Sequence, residues 1–379
     1  MAQTPTYDFA IIGAGIAGAS VAARLADGAS VLLLEMETQP GYHTTGRSAA
    51  MFAPVYGPSQ IRALTRASTA FFATPPAGFA DAPLLSPRDV VMIARRDQTA
   101  SLDAFMKELG EEDGISRIDG ETVQKLLPVL RAGYAVGGVL DSSGSDIDVN
   151  GLHQGFLRQF KKLGGTLQAS AEVTGLRRDK GVWTLSTKSD SYTAATVING
   201  AGAWADQLGR LAGAEPIGLV PKRRTAMLIK APDGLALESH PLAVDIDEDF
   251  YMKPDAGRLL ISPANEDPMD PCDAQPDEFD IAYCIDRIET AFDMKVRSIE
   301  TRWAGLRSFV ADKVPVVGFS NQVDGFFWLA GQGGYGIQTS PALSQLAATL
   351  ARGEAPPQDI LDFGVDPAAL APGRAGLNP

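Results

Sequence analysis

The chain has 379 residues, 45% hydrophobic and 21% charged, which is typical of a globular protein too long for one core. Its formal net charge of −13 argues against nucleic-acid partners and against binding to anionic membrane surfaces. With two cysteines and three histidines, neither a disulfide framework nor a multi-histidine metal site is expected. We see no signal-peptide pattern and no apolar run of bilayer length, and therefore expect a cytoplasmic protein without an integral membrane segment.

The first elements predict a dinucleotide-binding turn. An apolar run over residues 9–12 indicates a buried strand, and the small residues of 16–25 indicate a helix. Between and within them, Gly13 permits the tight turn, Gly15 lets a pyrophosphate approach the backbone, and Gly18 lets the helix pack closely on the strand. The phosphates would lie at the helix N-terminus, where unpaired N–H groups favour negative charge.

A second predicted strand, 31–34, ends in Glu35, whose carboxylate is placed to hydrogen-bond the ribose of an adenosine. The alternative is a glycine-rich turn followed by a surface glutamate, but the strand, turn, helix, strand and acid in this order favour the binding site. Residues 39–57 follow, rich in small and hydroxyl side chains, and there Arg47 and Ser48 would contact the pyrophosphate from the other side. Alternatively this stretch is a helix N-cap region with a solvated Arg47.

The middle of the chain mixes helix and strand patterns. Helices are predicted over 61–72 and 150–163, a strand over 90–94, charged helical sequence over 97–130 with a break near 110–114, a strand over 136–139 and a polar turn over 142–148. Strands over 166–169, 171–176 and 181–187 are typical of an inserted antiparallel sheet. Residues 195–204 again run from strand through a glycine turn to a helix, which returns the chain to the first sheet and makes the cofactor lobe discontinuous.

A second, β-rich lobe is predicted over 219–230 and 237–271, followed by a helix over 278–292. We therefore expect a cofactor domain of residues 1–85, 145–215 and 305–379 and a substrate domain of residues 86–144 and 216–304. Within the second lobe, Arg223 and Arg224 are neighbours on a strand, so only one of them can point into a given pocket. Near the C-terminus, the strand 326–330 leads into a glycine turn, 331–336, and a further helix.

The segments 13–18 with Glu35, 44–48, 199–204, 305–307 and 331–336 occur in the order found in the D-amino-acid oxidase (DAO) family of flavoproteins. The sequence resembles that family over nearly its whole length, and within it most resembles the bacterial D-arginine dehydrogenases. The resemblance implies an α/β fold with a Rossmann-like FAD-binding lobe of the glutathione-reductase type and a second, β-rich α+β substrate lobe. It also implies non-covalent FAD and oxidation of a D-amino acid to an imino acid, which water hydrolyses to a 2-oxo acid and ammonium.

The resemblance further implies roles for individual residues. Arg224 and Arg307 would hold the substrate carboxylate, with hydroxyl donors on Tyr56 and Tyr251. The Gly334 carbonyl would receive the substrate amine, Gln338 would line the pocket, and Tyr56 would lie on a mobile cover. The cofactor would be bound by Gly13, Gly15, Ala17, Gly18, Glu35, Met36, Thr44, Thr45, Gly46, Arg47, Ser48, Ala49, Ala50, Met51, Val173, Ala201, Gly202, Gly305, Arg307, Gly333, Gly334, Tyr335, Gly336 and Ile337.

Two departures from the relative concern the substrate side chain. Val90 replaces a glutamate that binds the guanidinium, and Met51 replaces an active-site histidine. A buried cation without a paired carboxylate is costly, so we expect uncharged or hydrophobic D-amino acids to be better substrates than D-arginine or D-lysine. Asp89 would face away from the pocket, one residue along the strand. The acids Asp245, Asp247 and Asp249, near Tyr251, would instead favour a cation.

Other readings stay open at this point. A secondary-amine oxidase or dehydrogenase, of the sarcosine or D-proline type, would share the arginine and tyrosine pattern, and a non-catalytic flavin-binding protein is a third possibility. A 2-hydroxy-acid dehydrogenase would want a histidine base where Met51 stands, and a nicotinamide enzyme would not need the segments 44–48 and 331–336. The electron acceptor, whether oxygen, a quinone or another carrier, is not indicated.

Overall fold

The computed structural model describes residues 6–110 and 114–377, whose strands form three sheets. The α-helices, in chain order, are α1 Ile16–Leu25, α2 Ser59–Ala73, α3 Thr99–Leu109, α4 Gly120–Leu126, α5 Val149–Lys162, α6 Ala205–Ala212, α7 Glu278–Ala291, α8 Gly336–Ala351 and α9 Gln358–Leu361. Short 3-10 turns lie at Arg96–Gln98, Gly202–Trp204 and Ala368–Leu370.

The first sheet has eight strands and a parallel centre. Its strands are β1 Tyr7–Ile12, β2 Val31–Leu34, β9 Thr166–Gln168, β10 Gly175–Asp179, β11 Val182–Ser186, β12 Ser191–Asn199, β19 Val316–Phe319 and β20 Phe326–Ala330. β1 lies between β12 and β2 in parallel register, and β20 continues the parallel pairing from β12. Helices α1, α5 and α8 pack against one another on one side of it, and a separate apolar cluster covers the other side. Because both faces are covered, its central strands are continuous apolar runs.

The second sheet has nine strands and carries one wall of the site described below. Its strands are β5 Val90–Ala94, β6 Ile115–Asp119, β7 Gly137–Asp141, β13 Val220–Ile229, β14 Leu242–Asp245, β15 Tyr251–Asp255, β16 Arg258–Ser262, β17 Asp267–Pro268 and β18 Ile299–Phe309. Alternate side chains face opposite sides, so Val91 and Ile93 enter the core beneath α4 and α7 while Val90 and Met92 face away from it. A third, small sheet consists of β3 Met51–Phe52, β4 Leu85–Pro87 and β8 Ser145–Ile147.

The predicted strand, turn and helix over residues 9–25 is confirmed, as are the strand 90–94 and the helix near 278–292. Four local predictions were wrong, one of which is the strand over 171–176, because residues 171–174 have no regular secondary structure and β10 begins at Gly175. Residues 115–119 were predicted as helical but form an edge strand that pairs with β7. Because this strand is largely exposed, its residues are as polar as those of a surface helix. Residues 166–168 pair in parallel with β2 rather than in an antiparallel insert, and β8 interrupts the predicted turn 142–148. The centre of the predicted break, residues 111–113, lies outside the described residues.

Candidate active site

The turn between β1 and α1 has no room for side chains. Gly13 has φ +95°, and a Cβ placed there would lie 2.6 Å from the Gly200 carbonyl oxygen. A Cβ at Gly18 would lie 1.8 Å from the carbonyl oxygen of Gly13, so α1 approaches the turn at a distance that only glycine allows. The Thr45 hydroxyl accepts the N–H of Ile16 at 2.9 Å, which ties the segment after β2 to the first turn of α1.

Glu35 ends β2 as predicted and is buried beside this turn. Its Oε2 accepts the Ala14 N–H at 2.8 Å and its Oε1 accepts the Glu37 N–H at 3.0 Å. Burial raises the pKa of Glu35, and these two hydrogen bonds oppose that rise. A fixed carboxylate at the end of the second strand is the arrangement that binds ribose hydroxyls in dinucleotide folds.

A cavity of about 600 Å³ runs from this turn to the second sheet. Every residue predicted to bind the cofactor lines it except Gly18 and Gly46, which lie behind its wall, and every predicted substrate residue lines it as well. The wall at the far end comes from β5, β14, β15, β13 and β18, whose cavity-facing residues are in register across one face of the second sheet. The cavity therefore has a glycine-lined end with a fixed carboxylate and an opposite end with two arginines, which fits an extended dinucleotide with its reactive ring near the arginines.

The predicted contact of Arg47 with a pyrophosphate does not agree with its side-chain position. Its Nη1 donates to the carbonyls of Ala274 at 3.0 Å and Ala304 at 2.9 Å, and its Nη2 pairs with Asp273. The guanidinium thus ties residues 44–48 to the second sheet, although Arg47 still lines the cavity. The reason is tertiary, because the sequence does not show that β18 and the loop before α7 lie within reach.

Arg224 and Arg307 lie together although 83 positions separate them in the chain. The antiparallel register of β13 and β18 pairs Arg224 with Gly305 and Lys222 with Arg307, so both guanidiniums are on the same face of the sheet. Arg223 points the other way and contacts Asp280 at 3.0 Å, in agreement with the strand alternation. The Nε of Arg224 donates to the Asn265 carbonyl at 2.9 Å. We call Arg224 and Arg307 the arginine pair.

The glycine turn before α8 packs directly against this pair. A Cβ at Gly334 would lie 1.9 Å from Nη2 and 2.1 Å from Nε of Arg307, so any side chain there would displace the guanidinium. The Gly333 N–H donates to the Ser308 carbonyl at 2.9 Å and fixes the turn to β18. The Arg307 guanidinium also lies 5.3 Å from the ring centre of Phe309 and 5.7 Å from that of Tyr335.

Burial and mutual repulsion lower the pKa of Arg224. Burial also acts against the charge of Arg307, but Tyr56, Tyr335, Glu248 and Glu266 together outweigh it and raise the pKa of that guanidinium. Arginine keeps its proton in proteins at neutral pH, so the pair presents two adjacent positive charges to the cavity.

Three other predicted residues complete this end of the cavity. The Tyr56 hydroxyl donates to Oε1 of Glu248 at 2.8 Å, and burial raises the pKa of Tyr56 so that it stays protonated. Tyr251, on β15, lines the cavity. The Oε1 of Gln338 accepts the Ala53 N–H at 3.1 Å, while its buried Nε2 has no hydrogen-bond partner among the described residues.

The wall beyond Tyr251 is apolar, with two ionisable groups that the sequence analysis missed. Val90, Met92, Leu242, Val244 and Met51 line it. Asp141, which pairs across the strands with Val90, and Lys253, whose Nζ lies 2.6 Å from Asp146, also line the cavity. The sequence could have indicated Asp141 and Lys253 only through the alternation of side chains along β7 and β15, once these strands had been assigned. Asp89 is exposed, as expected. The acids 245, 247 and 249 do not line the cavity, and Asp245 and Asp249 contact Arg95 at 2.7 Å and 3.7 Å.

Comparison with known proteins gives one family. The model of the family described as FAD dependent oxidoreductase, DAO, matches residues 8–350. The chain is 25% identical to mitochondrial dimethylglycine dehydrogenase of Mus musculus over 266 residues, which is 65% of this chain but 30% of that enzyme, so it spans about a third of the relative's length.

Among solved structures, glycine oxidase from Geobacillus kaustophilus superposes with a TM-score of 0.82 over 96% of this chain and 99% of that one, at 22% identity. An L-α-glycerophosphate oxidase from Mycoplasma pneumoniae with FAD bound also gives 0.82, over 92% and 95%, at 17% identity. These structural likenesses show the fold. The cofactor of the family is FAD, and the cavity described above fits it, with Glu35 and the glycine turn at the adenosine end and the 333–337 turn at the other.

In the described part of the chain, no helix has the length and hydrophobicity required to span a bilayer. The same residues contain no group of three His, Cys, Asp or Glu side chains arranged to hold a metal ion.

Proposed function

The chain belongs to the DAO family of FAD-dependent oxidoreductases, and on that basis we propose that it oxidises D-amino acids at the α-carbon. The amino acid loses a hydride from its α-carbon and a proton from its amine nitrogen, and water hydrolyses the resulting imino acid to a 2-oxo acid and ammonium. Bound FAD supplies the acceptor for the hydride that leaves the α-carbon. The protein's task is to bind the substrate in one orientation and to keep water away from the reacting carbon.

The observation that supports this proposal most strongly is the arginine pair on the cavity wall. The two buried guanidiniums share one carboxylate, Glu266, on the side away from the cavity, and Nη1 of Arg307 still has no hydrogen-bond partner among the described residues. A substrate carboxylate matches the fork of an arginine in two parallel hydrogen bonds. An α-amino acid held this way has its α-carbon fixed relative to the cavity. Its amine would then donate to the Gly334 carbonyl, on the glycine-turn side of the cavity.

Tyr56 and Tyr251 would add hydroxyl donors to the bound carboxylate. Because burial keeps the Tyr56 hydroxyl protonated, it remains a donor at neutral pH. In the structure this hydroxyl is taken up by Glu248, so substrate binding would exchange one acceptor for another. We infer that the segment around Tyr56 moves when substrate enters.

We further propose that the preferred side chains are uncharged. Val90, Leu242, Val244 and Met51 give the side-chain end of the cavity apolar walls. Lys253 also lines this end, with its Nζ 3.9 Å from the Met51 sulfur, but Asp146 neutralises its charge at 2.6 Å. On this ground the substrate range differs from that of the D-arginine dehydrogenases that the sequence resembles.

Oxidation of a secondary amine, or of glycine, is the second candidate. Similarity to a dimethylglycine dehydrogenase and to a glycine oxidase favours it, since those names describe small amino acids with the same carboxylate. Small substrates would leave the apolar wall around Val90 unused, which is why we place this candidate second.

An anaerobic titration of the purified flavoprotein tests both. D-leucine, D-methionine, D-phenylalanine, D-arginine, glycine, sarcosine, D-proline and the L-isomers are added in turn while the flavin spectrum is read, and air is then admitted. We expect bleaching with the uncharged D-amino acids first. A lead for D-arginine removes the side-chain proposal, and a lead for glycine, sarcosine or D-proline selects the second candidate. No bleaching with any of them removes both proposed substrate classes. Recovery of colour in air identifies oxygen as an acceptor.

A further inference from the structure

Behind the arginine pair lies a carboxylate that the proposed reaction does not use. Glu266 sits between β16 and β17, outside the cavity lining and about one quarter exposed. The backbone before it is unusual, because Ala264 has φ +50° without being a glycine. That conformation is held by the Ser262 hydroxyl, which accepts the Ala264 N–H at 3.1 Å, and by Asn265, whose side chain accepts the Thr225 N–H at 2.9 Å.

Glu266 is surrounded by four cations. Its Oε1 lies 3.4 Å from Nη2 of Arg224 and 3.5 Å from Nη1 of Arg307, so one oxygen serves both members of the pair. Its Oε2 lies 2.9 Å from Nζ of Lys222 and 3.5 Å from Nζ of Lys313. Burial acts to raise the pKa of Glu266, but Lys222, Lys313 and Arg307 outweigh it and hold the pKa below its ordinary value.

The guanidiniums themselves have other supports. Arg224 donates to the Asn265 carbonyl, and Arg307 packs on Gly334 and on two aromatic rings. Loss of Glu266 would therefore leave both side chains near their positions and would change mainly the charge they present. With Glu266 in place, its Oε1 presents negative charge to both guanidiniums on the side away from the cavity, while Lys222 and Lys313 contact its Oε2.

The rest of the substrate wall offers little to a second anion. Among the described residues that line this end of the cavity, the one cation besides the pair is Lys253, and Asp146 already neutralises it at 2.6 Å. The acids Glu248 and Asp141 line the same space and would repel an extra carboxylate.

We propose that Glu266 is a positioning residue that lowers the positive potential which the arginine pair presents to the cavity, so that the site selects monocarboxylic over dicarboxylic substrates. The inference rests on the proposed function, because it assumes that the pair binds the substrate carboxylate. The competing view is that Glu266 only anchors Lys222 and Lys313 at the surface, in which case its loss would alter stability but not the choice between ligands.

The test uses the FAD-loaded enzyme and two ligands that it cannot oxidise, propionate and succinate. Their dissociation constants are measured by flavin absorbance changes and by calorimetry, at low and high ionic strength, for the wild type and for Glu266→Gln. We expect the wild type to bind propionate more tightly. In Glu266→Gln the affinity of succinate relative to propionate should rise about tenfold, with the larger change at low salt.

Two controls separate charge from structure. Lys313→Gln removes a surface charge next to the same carboxylate and should leave the affinity of succinate relative to propionate unchanged. Glu266→Asp keeps the carboxylate and should retain most of the wild-type preference for propionate. If Glu266→Gln does not fold, the double variant Glu266→Gln/Lys222→Gln can be used, because it removes one charge of each sign. Its affinity for succinate relative to propionate should be about tenfold higher than that of the single variant Lys222→Gln.

A ligand ratio that stays within about twofold of the wild type in the folded variant overturns the inference. Failure of the proposed function gives a different result, since the wild type would then bind neither ligand and no amino acid would bleach its flavin. Turnover offers a second readout. The ratio of the KM for D-aspartate to the KM for D-leucine should fall in Glu266→Gln.

Discussion

At the scale of single residues, the site depends on the contact between the Arg307 guanidinium and Gly334, a residue without a side chain. The guanidinium of Arg307 occupies the space where a Cβ of residue 334 would be, and the turn around Gly334 is in turn hydrogen-bonded to β18. A cation placed by packing against backbone and aromatic rings, rather than by a flexible surface pairing, loses little entropy when it binds an anion.

Replacing Arg307 by lysine should therefore cost more than the retained charge would indicate. Lysine cannot form the two parallel hydrogen bonds, so we expect kcat/KM for the best D-amino acid to fall about 100-fold or more, with KM rising more than kcat falls. Steady-state kinetics on FAD-loaded protein measures this. The matched control is Arg302→Lys, an exposed arginine on the same strand that pairs with Glu278, which should retain near wild-type kinetics. Equal effects in both variants would contradict the role given to Arg307.

Val90 is the residue at which the side-chain preference is expected to change. Val90→Glu places a carboxylate on the apolar wall, and we expect kcat/KM for D-arginine relative to D-leucine to rise about tenfold or more. Asp141 lies directly across the strand pair, so part of the new charge would be suppressed by repulsion. Val90→Gln is the control, because glutamine has the same size as glutamate but no charge. A similar rise in Val90→Gln would mean that polarity, not charge, decides the preference.

At the scale of elements, helix α5 contacts the glycine turn between β1 and α1. His153 on α5 is buried, and its Nε2 donates to the Ala14 carbonyl at 2.8 Å, so the ring proton is on Nε2. Burial lowers the pKa of His153, and the hydrogen bond to Ala14 offsets this only in part. The neutral ring therefore satisfies a carbonyl that the strand and helix ladders leave unpaired.

His153→Phe should weaken FAD binding about tenfold, because it leaves the Ala14 carbonyl buried without a donor next to the phosphate-binding turn. It should also flatten the dependence of stability on pH. A histidine with a lowered pKa in the folded state gains its proton first in the unfolded chain, so the wild type loses stability as pH falls below about 6.5 toward the folded pKa. FAD titration and thermal unfolding between pH 8 and 5 measure the two effects.

His240→Phe is the control for this pair of effects. Burial likewise lowers the pKa of His240, which lies just before β14, but its Nδ1 contacts the Pro241 carbonyl rather than the cofactor turn. We expect a similar flattening of the pH dependence with FAD affinity unchanged. Loss of FAD affinity in both variants would indicate a general loosening rather than support of the turn.

At the scale of the whole molecule, the cavity joins the two large sheets. One end of it is formed by β1, β2 and the turn after β12, and the other end by the second sheet, while Arg47 ties residues 44–48 to β18. We propose that the division into a cofactor domain and a substrate domain follows these sheets, with the boundary predicted at residue 305 moved to the end of β18 at Phe309, and that FAD contacts both. The cofactor would then stabilise the arrangement of the sheets as well as serving the chemistry.

Removal of FAD should accordingly lower the unfolding temperature by several degrees, and FAD added back should restore it. A ligand that binds only the folded state at one hundred times its Kd contributes about 2.7 kcal/mol. FMN, which lacks the adenosine that Glu35 and the glycine turn are placed to bind, should restore much less. Differential scanning fluorimetry of the stripped protein gives the result, and equal rescue by both flavins would count against the adenosine site.

The sequence by itself determined the elements whose signal is local. The apolar run before Gly13, the small-residue helix after it and the acid after β2 follow from periodicity, glycine geometry and strand length, all of which act within about thirty residues. Together with the matching of motifs in order, they indicated the FAD fold. Strand alternation separated Arg223 from Arg224 and Asp89 from Val90 without knowledge of any partner strand.

Only the tertiary structure determined which strands and side chains contact these elements. Residues 115–119 became a strand because β7 had a free edge to pair with, and the Arg47 guanidinium turned to carbonyls more than two hundred positions away. The positions of Glu266, Glu248, Asp141 and Lys253 depend on the register between strands that are distant in sequence. Local patterns specify which way a side chain faces, but long-range pairing determines which charge lies opposite it, and that charge sets the chemistry of the site.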